Sequence, residues 1–362
     1  MNILYISKLA GGSWAGPTYS VPKQVFTQSL FDEVFWYNLR AVDKTEWKQT
    51  KYYHDIAEFP KGTIKDLPEP FSKPDLVVVE QFYSQAKTKV LFELLCGDLP
   101  YIIIPRGELT AAAQKRKSLK KRLANAMMFR KFAKKAVAIQ YLTRQEKEDS
   151  GNRWNNNALV LPNGTDIPAE GGHIFSENGI KCISIGRIEP YQKGLDLLIE
   201  ACGGMKEELK AADCSILLCG PDRVGKLQEL QSIVREKGLE EIIQFHDGVY
   251  GEEKARLLRE HDVFLMPSRF EGHPMALIEA LAYGLPCLVT TGSNMRDEVA
   301  EYDVGWTADN TVESIRTALL HMLAERSSLR QKSERAKQLA RNYAWEEIAA
   351  RSHHYYMDLI GG

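Results

Sequence analysis

A chain of 362 residues, 44% of them hydrophobic and 26% charged, has the length of two ordinary domains with a cleft between them, and its even composition excludes collagen, low-complexity tracts and extended disorder. A formal net charge of -1 excludes a nucleic-acid binder that works through overall charge, and no nucleic-acid partner is expected. The six cysteines, Cys96, Cys182, Cys202, Cys214, Cys219 and Cys287, lack C-x-x-C spacing and read as small buried hydrophobes, while no apolar stretch approaches the roughly 20 residues of a membrane span.

The first apolar run, Ile3 to Ile6, is too short for a signal peptide and lacks a basic flank and a cleavage site, so it reads as a strand of a cytoplasmic protein. A loop from Leu9 to Pro17 follows, carrying Gly11, Gly12 and Gly16 ahead of a helix; its glycines allow close approach of the backbone to a ligand. Further β-rich runs at 76–79, 101–104, 136–139 and 159–161 alternate with longer helical patterns, which implies βαβ units and a parallel sheet. After Asn163 and a glycine-rich stretch from Gly164 to Gly179 the pattern restarts, with strands expected at 181–185, 215–219, 242–245, 263–266 and 286–290. Residues 313–340 read as charged helix, and the tail from Tyr343 to Tyr356 is amphipathic and aromatic, so it needs a surface to dock on. The fold class is therefore α/β, with a boundary near Asn163: residues 1–163 form one domain, 164–342 a second, and 343–362 a terminal helix expected to pack back on the first.

In open parallel sheets, ligands bind beyond the carboxyl ends of the strands, which narrows the search to the residues after each strand. Arg187 and Lys193 flank a loop between the run ending at Ile185 and the helix starting at Leu195, an arrangement suited to phosphate oxygens, although a solvated loop would look the same. After Met266 come Arg269, Glu271, Gly272 and His273, then a helix with Pro274 as its first residue and Gly284 as its stop. Glu279 is the one charged residue of that helix and is expected to be buried, with sugar hydroxyls, or else a neighbouring backbone amide or basic residue, as partner. Two near-misses are set aside. Residues 220–227 nearly spell a P-loop but end in Leu227 where a hydroxyl is needed, and Gly11 and Gly16 carry the outer spacing of a dinucleotide fingerprint whose middle glycine is Ser13.

Together these residues resemble a known family. Glu271 and Glu279 match the E-x7-E hallmark of the retaining glycosyltransferases of family 4 (glycosyl transferases group 1), which have the GT-B fold of two Rossmann-like domains facing across a cleft. The resemblance extends to Gly186-Arg187 with Lys193-Gly194, Pro162-Asn163-Gly164, the run from Val249 to Lys254, and Tyr343-Ala344-Trp345-Glu346. It implies a donor half in the second domain, where Arg187 and Lys193 hold the diphosphate of a nucleotide sugar (UDP or GDP, with a hexose) and stabilise the charge of the departing group. It further implies that Glu271 and the backbone of Gly272, His273, Pro274 and Met275 position the sugar, that Glu279 accepts from the ribose, and that Val249 lies by the base. Attack from the face of the leaving group, with retention of configuration, needs no protein nucleophile. No Asp-x-Asp occurs, so no metal and no other cofactor is expected.

The first domain would then bind the acceptor, a glycan or a lipid-linked glycan of cell-surface polysaccharide biosynthesis. Gly16-Pro17 matches the family's first loop, although the usual preceding glycine is Ala15; Glu80 and Arg106 stand where many members carry histidines. Two readings of Glu80 and Arg106 stay open, a role at the reacting centre and acceptor, or a structural ion pair. The segment from Lys115 to Lys135 carries ten cations and no acid: Lys115, Arg116, Lys117, Lys120, Lys121, Arg122, Arg130, Lys131, Lys134 and Lys135. Leu119, Leu123, Met127, Met128 and Phe132 recur among them at helical spacing. Such a helix either meets an anionic membrane surface, which would station the protein peripherally at the inner face, or packs its apolar stripe on the domain. Two other classes stay open for the whole chain: a nucleotide-sugar epimerase of the same fold, and a non-catalytic sugar-binding subunit.

Overall fold

A computed structural model describes residues 1–12, 16–115, 118–169 and 174–361. Ser13, Trp14 and Ala15 of the first loop, Arg116 and Lys117 of the basic segment, and residues 170–173 of the glycine-rich stretch lie outside the described residues. The chain divides into two compact units, the first made of Met1–Gly164 with Trp345–Gly362 and the second of Thr165–Ala344.

The first unit holds a seven-stranded sheet in the order β3-β2-β1-β4-β5-β6-β7. Its strands are β1 (Asn2–Ser7), β2 (Glu33–Asn38), β3 (Tyr53–Asp55), β4 (Leu76–Glu80), β5 (Tyr101–Ile104), β6 (Ala138–Tyr141) and β7 (Ala158–Val160). The second holds a six-stranded sheet, β10-β9-β8-β11-β12-β13, built from β8 (Ile180–Ile185), β9 (Cys214–Cys219), β10 (Ile243–His246), β11 (Val263–Met266), β12 (Cys287–Thr290) and β13 (Gly305–Ala308). Every pairing in both sheets is parallel. Helices cover both faces of each sheet, which is why β4 and β5 are buried along their whole length and read as unbroken apolar runs instead of alternating ones. Each sheet is doubly wound. Its strand order reverses between β1 and β4 in the first unit and between β8 and β11 in the second, and the carboxyl ends at such reversals are where ligands bind in doubly wound sheets.

The two sheets confirm the α/β class and its two Rossmann-like domains. Three strands were not expected. β2 is aromatic rather than β-branched (Phe35, Trp36, Tyr37), β3 is three residues long, and β13 starts at Gly305, so none of them carries a long aliphatic run. The strand expected at 136–139 lies two residues later, because the helix Arg130–Lys135 runs up to Ala136. The charged stretch at 313–340 is two helices, Val312–Ala324 and Leu329–Arg341, separated by a 3-10 turn at Arg326–Ser328. Five of the cysteines are buried, whereas Cys96, at the end of an amphipathic helix, is exposed.

The terminal helix Trp345–Gly361 packs within the first unit. Tyr356 is fully buried and its hydroxyl donates to Gln140 Oε1 on β6 at 2.7 Å, while His353 Nδ1 lies 3.0 Å from both carboxylate oxygens of the buried Asp32. Gly164 has no room for a side chain: a Cβ there would lie 2.5 Å from the Trp345 ring.

Candidate functional site

The crevice of the second unit is built by two loops, one leaving β8 and the other leaving β11. The first contains a single turn of helix, Pro190–Lys193, and then Gly194, whose left-handed conformation (φ 63°) starts the helix Leu195–Gly203. A Cβ on Gly194 would overlap the carbonyl of Pro267, so the two loops touch backbone to backbone. Arg269 fastens them further. Its guanidinium makes two bonds to Asp196 (2.7 and 2.8 Å) and one to the Tyr191 carbonyl (2.8 Å), and it lies over the Tyr191 ring. The bonds to Asp196 push the Arg269 pKa up, so the clamp stays charged. The second loop is also held from behind, since Asn294 Nδ2 donates to the carbonyls of Glu271 and Gly272, and Asn310 Nδ2 to that of Ser268.

Within this frame Lys193 Nζ meets Glu271 Oε1 at 2.7 Å, and the Ser268 hydroxyl donates to the same oxygen at 2.6 Å. Arg187 is half-exposed and weakly committed, bonded to Gln192 (2.9 Å) and 3.3 Å from Glu189. Gly186, Arg187, Lys193 and Ser268 line one pocket at the carboxyl ends of β8 and β11. Lys193 therefore stands at the end of a one-turn helix beside Glu271, a partner that sequence spacing did not pair with it. His273 is half-buried with Nδ1 3.3 Å from Met275 Sδ, and Pro274 precedes the helix Met275–Ala282 instead of opening it. Gly284, with φ 83°, ends that helix: its N–H and that of Leu285 bond back to Leu281 and Ala280, a Schellman closure. Val249 is buried in the core against which this helix packs.

Glu279 corrects an expectation. Its side chain is 31% exposed rather than buried, and its Oε2 is in close contact with Lys254 Nζ. The helix turns its apolar residues Leu277, Ile278, Ala280 and Leu281 to the core and leaves Glu279 on the remaining face.

In the first unit, Arg106 and Glu80 pair. Arg106 Nε donates to Glu80 Oε2 at 2.6 Å, and the guanidinium also reaches Ser20 Oγ, Gln24 Oε1 and Asn163 Oδ1 at 3.1 to 3.3 Å. The pair is buried, with Arg106 7% and Glu80 0% exposed at the side chain, and Glu80 Oε1 has no hydrogen-bond partner among the described residues. Arg106 adopts φ 52°, a conformation its neighbours impose: Glu146 Oε1 accepts from the Gly107 amide at 2.5 Å, and Glu108 Oε2 from the amides of Phe82 and Tyr83. Burial pushes the pKa values of Glu108 and Glu146 up, against the pull of those amides. Sequence reasoning missed Glu146, Asn294 and Arg269 as supports, since their roles depend on which loops meet. Gly16 is the first residue of the helix Gly16–Gln28.

Among its described residues the basic segment is helical at Ala111–Lys115, Ser118–Ala124 and Arg130–Lys135, with a π-helical turn at Asn125–Phe129 interrupting the regular helix before Arg130. Phe132 is buried and Met128 half-buried, but Leu119, Leu123 and Met127 are 79%, 64% and 75% exposed. Lys115, Lys120, Arg122, Arg130, Lys131 and Lys134 are exposed around them, while Lys121 and Lys135 bond inward to backbone carbonyls. Among the described residues no helix is long and apolar enough to cross a membrane, and no three His, Cys, Asp or Glu side chains group as metal ligands.

Residues 171–341, a little under half of the chain, match the family model for glycosyl transferases group 1. A putative colanic acid biosynthesis glycosyltransferase, WcaL, from Escherichia coli (strain K12) is 32% identical over 156 residues, 41% of this chain and 36% of that protein. The match spans about a third of the length of that relative and of two others, from Salmonella typhimurium and Erwinia amylovora. Among solved structures, sucrose-phosphate synthase from Thermosynechococcus elongatus superposes with a TM-score of 0.72 at 14% identity, covering 99% of both chains. Anabaena HepE in complex with UDP does so with a TM-score of 0.72 at 14% identity, over 99% of this chain and 100% of that one. At such identity the likeness is one of fold, and the fold is GT-B.

Proposed function

We propose that the chain is a retaining, metal-independent glycosyltransferase of family 4 that moves a hexose from a UDP- or GDP-sugar to a glycan or lipid-linked acceptor of a cell-surface polysaccharide. The contact of Lys193 with Glu271 at the crevice of the second sheet carries this reading, because it brings a phosphate-binding cation and a sugar-binding carboxylate to one point inside the group 1 match. The fold neighbour that holds UDP and the relative named for colanic acid biosynthesis support the donor and the pathway class.

An entering diphosphate takes Glu271's place beside Lys193 and draws in the half-exposed Arg187, so both cations meet the charge that grows on the leaving group. Glu271, released, accepts from sugar hydroxyls together with the backbone of Gly272 to Met275, and Glu279 accepts from the ribose beside a base near Val249. His273 adjusts the sugar contacts. The acceptor hydroxyl oxygen bonds to the anomeric carbon from the leaving-group face as the bond from that carbon to the diphosphate oxygen breaks, and the hydroxyl proton passes to the departing phosphate. On the acceptor side Gly16 borders the first loop, and Glu80 with Arg106 fixes the loop from Pro105 to Leu109.

A lipid-linked acceptor calls for a peripheral station at the cytoplasmic face of the membrane. The exposed ridge of Leu119, Leu123 and Met127 among cations supports that, since apolar insertion and attraction to anionic lipid add.

The test incubates the purified chain with UDP- and GDP-hexoses and lipid-linked acceptors, with and without EDTA. Transfer that survives EDTA and falls about 10²- to 10³-fold in Lys193→Ala supports the proposal. Interconversion of the sugar without acceptor would mark an epimerase, and donor binding without any transfer a non-catalytic subunit.

A further inference from the structure

The helix Gly251–Glu260 buries Ala255, Leu257 and Leu258, and Leu257 and Leu258 join the core that receives Leu277 and Ile278 of the Glu279 helix. Lys254 lies three and four residues before Leu257 and Leu258, so it shares their inward face. A lysine there has its stem along apolar surface and must find a partner for its ammonium group. It finds Glu279, binding Oε2, with the lysine 24% and the glutamate 31% exposed. The surroundings make that contact matter. Arg259 of the same helix is engaged over the Tyr283 ring, while Lys254 holds Glu279.

We propose that Lys254 is a positioning residue for the nucleoside half of the donor: it holds the Glu279 carboxylate at Oε2, so that Oε1 is left to accept from the ribose hydroxyls. This rests on the reading of the second unit as a nucleotide-sugar site. An ionised carboxylate is purely an acceptor, whereas a protonated one donates and loses the match to a pair of hydroxyls. A carboxylate pinned at one oxygen also has less rotational freedom to lose when the ligand arrives. Lys254 itself need not touch the nucleotide; it acts through Glu279.

The experiment measures, by calorimetry, binding of UDP, GDP and their 2′-deoxy counterparts to the unaltered chain and to Lys254→Met, Lys254→Arg and Glu279→Gln. Lys254→Met is expected to weaken the preferred ribonucleotide by about tenfold, as for loss of a charge-assisted hydrogen bond, and to leave its 2′-deoxy form within about twofold. The preference for ribose therefore shrinks. Lys254→Arg retains most of it, and the melting temperature hardly moves because a part-exposed pair contributes little to stability. An unchanged ribose preference in Lys254→Met, with a collapse in Glu279→Gln, overturns the role of Lys254 and leaves the donor site standing. No binding of UDP or GDP by the unaltered chain, or an unchanged preference in Glu279→Gln, contradicts the donor-site reading and this inference with it. If Lys254→Met does not fold, Lys254→Gln gives the same readout.

Discussion

Arg106 in the first unit and Lys193 in the second both lie beyond a parallel strand, and both contact a glutamate at under 3 Å, yet their surroundings differ in kind. Arg106 is closed in by Glu80, Ser20, Gln24 and Asn163, with a carboxylate that water does not reach. Lys193 has one acidic partner in the lining of a pocket, the two side chains 18% and 9% exposed, and Arg187 beside it is half-exposed. An ion pair with every position filled holds backbone in place. One that lines a pocket can exchange its carboxylate for a ligand phosphate, whose charge replaces the one given up. A cation paired with a glutamate thus makes a fastener in one unit and, under the proposed function, an exchangeable ligand site in the other.

The largest effect that would sharpen this contrast is on stability. Arg106→Met leaves the Glu80 carboxylate buried without a counter-charge and is expected to cost about 3 to 5 kcal/mol in urea unfolding, with part of the loss recovered by adding Glu80→Gln. Arg187→Ala should shift stability by no more than about 0.5 kcal/mol while depressing turnover. If Arg106→Met melted like the unaltered chain and lost only activity, the two sites would be alike and the contrast would break. A smaller effect concerns the basic segment. Replacing Leu119, Leu123 and Met127 by serine is expected to lower binding to vesicles containing phosphatidylglycerol at low salt by about tenfold, with transfer to a soluble acceptor unchanged. Equal binding by the triple variant would return the segment to an ordinary solvated surface.

The proposed donor residues could be singled out in the sequence because they are local. Arg187 and Lys193 lie within one loop, and Glu271 and Glu279 within one loop and helix, so their spacing, with the family resemblance it carries, marked them as candidates. What spacing could not give was the pairing across loops: Lys193 with Glu271, Arg269 with Asp196, and Lys254 with Glu279, each joining segments brought together by strand order. Glu279 looked buried because its neighbours are all apolar, but a short helix with one flank on the core leaves a face outside. The strands that went unread, β2 and β3, are those whose apolar character is aromatic or brief. The basic segment shows the opposite limit: helical spacing of Leu119, Leu123 and Met127 does not say whether the stripe they form faces the core or solvent.

The central claim is that Lys193 grips a diphosphate. Calorimetric titration with UDP and UMP, and with the guanosine pair, tests it most directly, because the two members of each pair differ by one phosphate. The unaltered chain should bind the diphosphate more tightly than the monophosphate by about tenfold or more, and Lys193→Ala should bring the two affinities together. A preference for the diphosphate that survives intact in Lys193→Ala would contradict the account.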